Sequence, residues 1–182
     1  MCIRDRSYTE GFYYKPRIDH GLLKTYGAGL VATTCCLQGE VPQNILKGGE
    51  TAGRRVFEMY YDIFGEDYYI ELQNHNINDQ RKVNAVLLTY AKDYGVKVVA
   101  TNDVHYVEQA DSDAQDVLLC LQTGKDYNDA TRMRFENDQF YLKTAPEMKS
   151  AMAGIDSDIV DESLATAGEI ADKCQFLSLI HI

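Results

Sequence analysis

The residues of this sequence best suited to chemistry are an acid and an imidazole that follow a short apolar run. The run, residues 97–101, is rich in β-branched side chains and comes after a helical pattern that stops at Gly95, so we predict a buried parallel strand. Asp103 and His105 lie just beyond the carboxyl end of that strand. Because residues two apart on an extended segment point the same way, their side chains could bind one metal ion together.

Two more predicted strands end in residues that can bind metals. A strand over residues 29–36 ends in Cys36, and a strand over residues 67–73 is followed by His75. In α/β folds the carboxyl ends of parallel strands open into one crevice, so both residues are expected beside the first pair. Taken alone, Cys36 is more typical of a small buried side chain, and His75 of a loop. The ligand set predicted by their coincidence is Cys36, His75, Asp103 and His105.

This set of side chains indicates a particular chemistry. Thiolate, imidazole and carboxylate groups are the ligands that zinc prefers, and manganese or iron would also accept them. A divalent ion held by such groups activates water, so the natural reaction is hydrolysis of a phosphoester. A cysteine–histidine nucleophile pair is the competing interpretation, but it leaves Asp103 and a second histidine without a role.

Predicted helices and strands alternate along the chain, as an α/β fold requires. Amphipathic spacing with glycine stops predicts the helices, and β-branched runs predict the strands. A strand, a helix and a strand with short links form a βαβ unit with a right-handed crossover. Beyond the three strands above, we predict helices over residues 21–26, 43–46, 51–64, 78–94, 111–122, 145–152 and 158–174, and a short strand over residues 139–143.

The composition is that of a globular domain with an acidic balance. Of 182 residues, 45% are hydrophobic, and the formal net charge is −10, a poor electrostatic match to a nucleic-acid backbone. No apolar run is long enough to cross a bilayer, and the N-terminus lacks a secretory signal pattern, so we predict no membrane association and a cytoplasmic location. The five cysteines are irregularly spaced, and we interpret them as reduced thiols.

The two ends of the sequence are related at the level of DNA. Residues 177–182 can be encoded by CTG TCT CTT ATA CAC ATC, and the reverse complement of that string, read one base in, encodes residues 1–5. Natural termini have no reason to be complementary, and the string resembles a transposase adapter used in sequencing libraries. We therefore predict that residues 1–6 and 177–182 are adapter-derived artefacts, and we leave them out of the fold.

Five motifs carry a resemblance to a known family. In order and spacing they are similar to the α subunits of bacterial DNA polymerase III, in their polymerase-and-histidinol-phosphatase (PHP) domain. The likeness runs over about residues 8–176. The motifs are EGFYYKPRID at residues 10–19, CLQGEVP at 36–42, IELQNH at 70–75, ATNDVHY at 100–106 and DVLLCLQTG at 116–124.

The resemblance implies a fold and a metal site. It implies an incomplete, distorted β/α barrel of the PHP type over residues 7–144, followed over residues 145–176 by helices leading toward the polymerase palm. The family's ligand positions match the four residues reached above from strand ends, with zinc or manganese as the expected ion and a 3′–5′ exonuclease as the expected activity. Further ligands would lie upstream of Ser7. The palm carboxylates, with their magnesium, would lie downstream of Phe176.

The resemblance also implies a function for the parent protein. That protein would be a DNA-directed DNA polymerase that acts in replication on DNA and deoxynucleoside triphosphates, with a proofreading exonuclease and a sliding clamp as partners. This segment alone would be inactive. Two alternatives stay open: a non-catalytic scaffold that docks a proofreading subunit, and a free-standing PHP-type metallophosphatase. The segment leading toward a palm disfavours the phosphatase, which would not need it.

Overall fold

The computed structural model describes residues 3–175 and divides into two compact units. The first unit ends at Ile70, and the second begins at Glu71. Of the predicted artefacts, residues 1, 2 and 177–182 lie outside the described residues, whereas residues 3–6 belong to the first helix.

The first unit consists mainly of helices that flank one short parallel strand pair. Asp19 caps the second helix, because its side chain accepts a hydrogen bond of 2.8 Å from the backbone N–H of Leu22. The predicted helix over residues 21–26 is thereby confirmed. In chain order the elements are α1 (Ile3–Thr9), α2 (His20–Tyr26), β1 (Ala32–Thr33) and α3 (Glu40–Phe64), followed by β2 (Tyr68–Leu72), which runs across the division.

The strand predicted over residues 29–36 is much shorter in the structure. Only β1 is extended and paired, with Ala32 opposite Tyr68 in parallel register. The strand stops early at its carboxyl end because Cys35 adopts a left-handed conformation, with φ of 66°, which turns the chain out of the strand direction. Cys36 therefore lies in the turn that follows the strand. At the amino end of the predicted strand, Gly29 also has positive φ, at 79°.

Helix α3 is bent in the middle. Gly49 has φ of 77°, outside the helical region. Only glycine adopts this backbone conformation without strain. The sequence predicts two helices here, and the kink at Gly49 corresponds to the predicted break. Phe57 anchors the second half of α3, since its side chain is fully buried and its ring centroid lies 5.3 Å from that of Tyr68.

The second unit repeats the alternation of helix and strand. Gly95 and Gly124 end two of its helices in left-handed conformations, with φ of 64° and 63°, as expected of C-terminal caps. The predicted helices and the strand over residues 97–101 are confirmed with small changes of bounds. The elements are α4 (Asn78–Tyr94), β3 (Val98–Ala100), α5 (Ser112–Thr123), α6 (Ala145–Ala151) and α7 (Ser157–Lys173).

The strand predicted over residues 139–143 is wrong. In this segment the structure has an isolated parallel bridge between Tyr106 and Tyr141 instead of a strand. One reason is that the backbone N–H of Phe140 donates to the hydroxyl of Tyr106, at 3.3 Å, instead of to a neighbouring strand. The segment is held by side chains as much as by backbone pairing.

The strands are hydrogen-bonded in the order β1-β2-β3, and Thr101, just after β3, donates its backbone N–H to the Leu72 carbonyl. Residues 3–175 contain these three strands and do not form a closed barrel. In the second unit, helices α6 and α7 cover β3, and a small core forms from Ala100, Met148, Met152 and Val160. None of the helices described is both long and apolar enough to cross a membrane.

Candidate metal site

Asp103 and His105 form a close pair directly after β3. The Oδ1 atom of Asp103 lies 3.6 Å from Nε2 of His105, and more than a third of each side chain is exposed. Asp103 has φ of 46°, a left-handed conformation that aspartate tolerates better than most residues. The turn at Asp103 therefore brings together the two groups that the sequence predicts as neighbours.

The separation within this pair suits a shared ion. It is too long for a direct hydrogen bond. Two ligand atoms that each lie about 2.1 Å from a tetrahedral zinc ion are about 3.4 Å apart. Asp103 and His105 therefore fit a divalent metal as two of its ligands.

The backbone and ring of His105 are both held by aromatic residues. Its N–H donates to the Phe140 carbonyl at 2.8 Å. Its ring centroid lies 4.7 Å from that of Phe135 and 6.0 Å from that of Phe140. One side of the imidazole is thus covered, whereas Nε2 faces Asp103.

His75 occupies a different environment. Its side chain is fully buried, and its ring stacks on Phe140 with centroids 4.2 Å apart. Nδ1 lies 2.7 Å from the amide nitrogen of Gln80, and Nε2 lies 2.9 Å from the Asn102 carbonyl oxygen. Because Gln80 donates to Nδ1, the ring proton is on Nε2 and is donated to Asn102. Both ring nitrogens are therefore already hydrogen-bonded.

The surroundings of His75 favour its neutral form. Burial lowers the pKa of the imidazole, and this effect outweighs the opposing hydrogen bond to the Asn102 carbonyl. Gln80 also accepts from the backbone N–H of His75 at 2.7 Å, and Asn137 donates to its carbonyl at 2.7 Å. In this arrangement His75 does not fit a metal ion, because a ligand nitrogen would first have to lose a hydrogen bond.

Cys36, the remaining predicted ligand, belongs to the first unit. It is a half-buried free thiol in the turn between β1 and α3. The turn is tight, because a Cβ added at Gly39 would lie 2.5 Å from the Thr34 carbonyl oxygen. A backbone hydrogen bond of 2.8 Å from Gly39 to the Cys36 carbonyl closes it. Cys36 is thus rigidly placed within its unit.

Across residues 3–175, no group of three or more histidine, cysteine, aspartate or glutamate side chains is arranged to hold a metal ion. The structure brings Asp103 and His105 together and encloses His75 in its own hydrogen bonds. The zinc or manganese assignment and the full set of Cys36, His75, Asp103 and His105 stay predictions.

Sequence reasoning missed the aromatic residues that connect the two histidines. Phe140 is buried, with 5% of its area exposed, and its ring centroid lies 4.6 Å from that of Phe135. Phe135 comes from the polar, turn-rich stretch 126–138. The available signal was that this stretch contains few large apolar residues, so an aromatic side chain there is expected to pack against something.

A cavity of about 520 Å³ lies in the same unit and is lined by Asn74, Tyr141, Lys143 and Glu147, among others. The Lys143 ammonium donates to the side chain of Asn102 at 3.3 Å and lies 4.0 Å from the centre of the Tyr141 ring. Burial lowers the pKa of Lys143, against the opposing charge of Glu147. The cavity thus carries a cation next to the residue that binds His75.

Comparison with known proteins relates most of the chain to one kind of protein. Residues 2–75 match the PHP domain. The α subunit of DNA polymerase III from Deinococcus radiodurans is 40% identical over 96% of the chain. The corresponding protein from Thermus aquaticus is 41% identical over 94% of it, and that from Treponema pallidum is 42% identical over 81%.

The chain covers only a small part of these relatives. It spans 13% of the length of the Deinococcus and Treponema proteins and 14% of the Thermus protein. The expected resemblance is confirmed by identities of this size over most of the chain. The chain belongs to the family of bacterial DNA polymerase III α subunits and corresponds to a segment of them that includes a match to the PHP domain.

Proposed function

We propose that the full-length protein containing this segment is a replicative DNA polymerase, a template-directed nucleotidyltransferase. The identity to α subunits over nearly the whole chain supports this function. Its substrates are DNA and deoxynucleoside triphosphates, with magnesium bound by palm carboxylates that are not among these residues. Its partners are a proofreading exonuclease and a sliding clamp, and it acts in the cytoplasm.

Within that protein, this segment contributes to a divalent-metal phosphoesterase of the 3′–5′ exonuclease type. The observation that carries this proposal is the Asp103–His105 pair, whose 3.6 Å separation suits two ligands of one ion. Bound zinc or manganese would lower the pKa of a coordinated water molecule and stabilise charge on a phosphoryl oxygen. Asp103 and His105 would hold the ion, and Phe135 and Phe140 pack against the imidazole of His105.

A specific observation favours a second candidate function, a non-catalytic scaffold that docks a proofreading subunit. Both ring nitrogens of His75 are hydrogen-bonded within the protein, as expected of a structural histidine. A scaffold needs a rigid core and no metal, whereas the phosphoesterase needs His75 to exchange one hydrogen bond for an ion. The two candidates therefore differ in what His75 binds.

The experiment that separates them uses the full-length protein and a variant with both His75→Ala and His105→Ala. We expect the wild type to bind zinc or manganese, and the variant to lose the metal and any phosphoesterase activity of this domain. Primer extension should fall much less, because the palm has its own carboxylates. Metal content by mass spectrometry and both activity assays provide the measurements.

The outcomes of that experiment distinguish the phosphoesterase from the scaffold. Unchanged metal content in the double variant would reject the ligand assignment. A wild type without detectable nuclease activity, whose stability falls when the histidines are replaced, would favour the scaffold. A companion assay tests the polymerase proposal: the 182-residue chain alone should not extend a primer, and template-dependent incorporation by a clean preparation would refute the assignment of polymerisation to other residues.

A further inference from the structure

We propose that Arg132 is a positioning residue for the Asp103–His105 pair. It fixes the loop over residues 124–139 so that Phe135 covers one side of the His105 ring. The inference rests on the proposed function to the extent that His105 binds a metal, but its geometric part can be tested without one.

Arg132 is the most completely enclosed charged group of this loop. Its side chain is fully buried, and its two terminal nitrogens donate to both carboxylate oxygens of Asp116 on α5, at 2.6 and 2.5 Å. Nε donates to the Tyr127 carbonyl at 3.0 Å, and the guanidinium lies 4.9 Å from the centre of the Tyr127 ring. Such a bidentate ion pair fixes both the distance and the relative orientation of the two side chains. Arg132 thus holds the loop against a rigid helix.

Phe135, three residues after Arg132 in sequence, connects the Arg132–Asp116 ion pair to the candidate site. Its ring centroid lies 4.7 Å from that of His105 and 4.6 Å from that of Phe140. A covered imidazole has fewer accessible rotamers, so its Nε2 stays directed toward Asp103. Metal affinity depends on such support, because the groups around a ligand set its orientation.

Arg132 acts through geometry rather than through its charge. The guanidinium lowers the pKa of the Asp116 carboxyl by hydrogen bonding to it, so the two charges largely neutralise each other locally. Arg132 has no direct hydrogen bond to Asp103 or His105 among the contacts of the described residues. Its effect on His105 therefore depends on where Phe135 lies.

The test uses the full-length protein with three separate substitutions. Arg132→Gln removes the guanidinium and its paired hydrogen bonds to Asp116. Phe135→Leu removes the aromatic ring while leaving the Arg132–Asp116 ion pair. Lys149→Gln is the matched control, because Lys149 forms a 2.5 Å ion pair with Asp161 in the same unit but is exposed. The probes are diethyl pyrocarbonate, whose reaction with each histidine is followed by peptide mass spectrometry in metal-free protein, and zinc alone.

We expect Arg132→Gln and Phe135→Leu to raise the rate of His105 modification by about twofold, since local opening exposes the covered side of the ring. Zinc affinity should fall by about tenfold, as is usual when support around a ligand is lost. Lys149→Gln should change neither quantity. Buried His75 should stay unreactive in every variant that remains folded.

Several results would overturn the inference. If Arg132→Gln leaves the His105 rate at the wild-type value while His75 stays protected, Arg132 does not position Phe135. If Arg132→Gln unfolds and His75 reacts, Phe135→Leu decides, and an unchanged His105 rate there rejects the role of the ring. A wild type that binds no zinc counts against the proposed function alone, because the modification rates still decide the geometry.

Discussion

Two histidines in the second unit follow neighbouring strands and share contact with one phenylalanine, yet their environments are opposite. His75 has none of its area exposed and uses both ring nitrogens within the protein. His105 leaves 39% of its side chain exposed and directs Nε2 toward Asp103. The comparison teaches that position at a strand end does not define the role of a histidine. The partners of its nitrogens do.

The largest expected effect concerns the buried member of the pair. His75→Ala should lower the free energy of unfolding by about 3 kcal/mol or more, because it leaves the Gln80 amide and the Asn102 carbonyl buried without partners and opens a cavity. His105→Ala should cost within about 1 kcal/mol, as is usual for a partly exposed side chain. Urea denaturation of the metal-free protein measures both. Equal losses would remove the distinction between the two histidines.

The exposed member should dominate metal binding. His105→Ala should weaken zinc binding by the full-length protein at least tenfold, because losing a ligand costs no less than losing its outer support, which costs about 10–100-fold. Competition with a chromogenic chelator gives the affinity. Lys149→Gln serves again as the control, because it removes an exposed charge that is paired with Asp161. A wild-type affinity in His105→Ala would contradict the assignment.

The pH dependence of stability should depend on His75. Its folded pKa is lowered by burial, so as pH falls below about 6.5 the unfolded chain takes up a proton that the folded chain does not. The contribution of the neutral His75 side chain to the free energy of unfolding is therefore fully present above that pH. Below it, the free energy of unfolding declines by at most about 1.4 kcal/mol per pH unit. Urea midpoints between pH 7.5 and 5.5, in the presence of a chelator, give the slope. His75→Asn should reduce it, and an identical slope in that variant would argue against a neutral buried imidazole.

The smallest effect is expected for one conservative substitution at Asp103. Asp103→Asn should change the free energy of unfolding by no more than about 0.5 kcal/mol, because asparagine also tolerates the left-handed conformation at φ of 46°. Asp103→Val should cost about 1–2 kcal/mol for the same backbone. Thermal unfolding of the two variants gives the difference. If asparagine and valine are equally tolerated, the turn does not depend on this conformation.

Much of the fold could be predicted from local signals. Gly95 and Gly124 end helices as expected, and the apolar run before Asp103 forms β3. These features depend on residues close together in sequence. The early end of the strand predicted over residues 29–36 has a local cause that composition does not reveal, since Cys35, a residue without special preference for positive φ, adopts the left-handed conformation.

The site was predicted less completely than the fold. The pairing of Asp103 with His105 follows from their spacing, and the structure brings them together. The enclosure of His75 could not be predicted, because its partners Asn102 and Phe140 are 27 and 65 residues away in sequence. Periodicity identifies which residues end a strand. It does not reveal which distant side chain will occupy a ring nitrogen.

The position of Phe140 between the histidines makes their magnetic environments different. Its ring current shields protons held over its face, and the His75 ring lies there, tilted by 20° with centroids 4.2 Å apart. The His105 ring lies 6.0 Å from Phe140, turned by 71°, and also 4.7 Å from the Phe135 ring, so it experiences a different ring-current field. The carbon-bound protons of the two histidines should therefore differ in chemical shift in a proton NMR spectrum, so that the two imidazoles can be followed separately in solution.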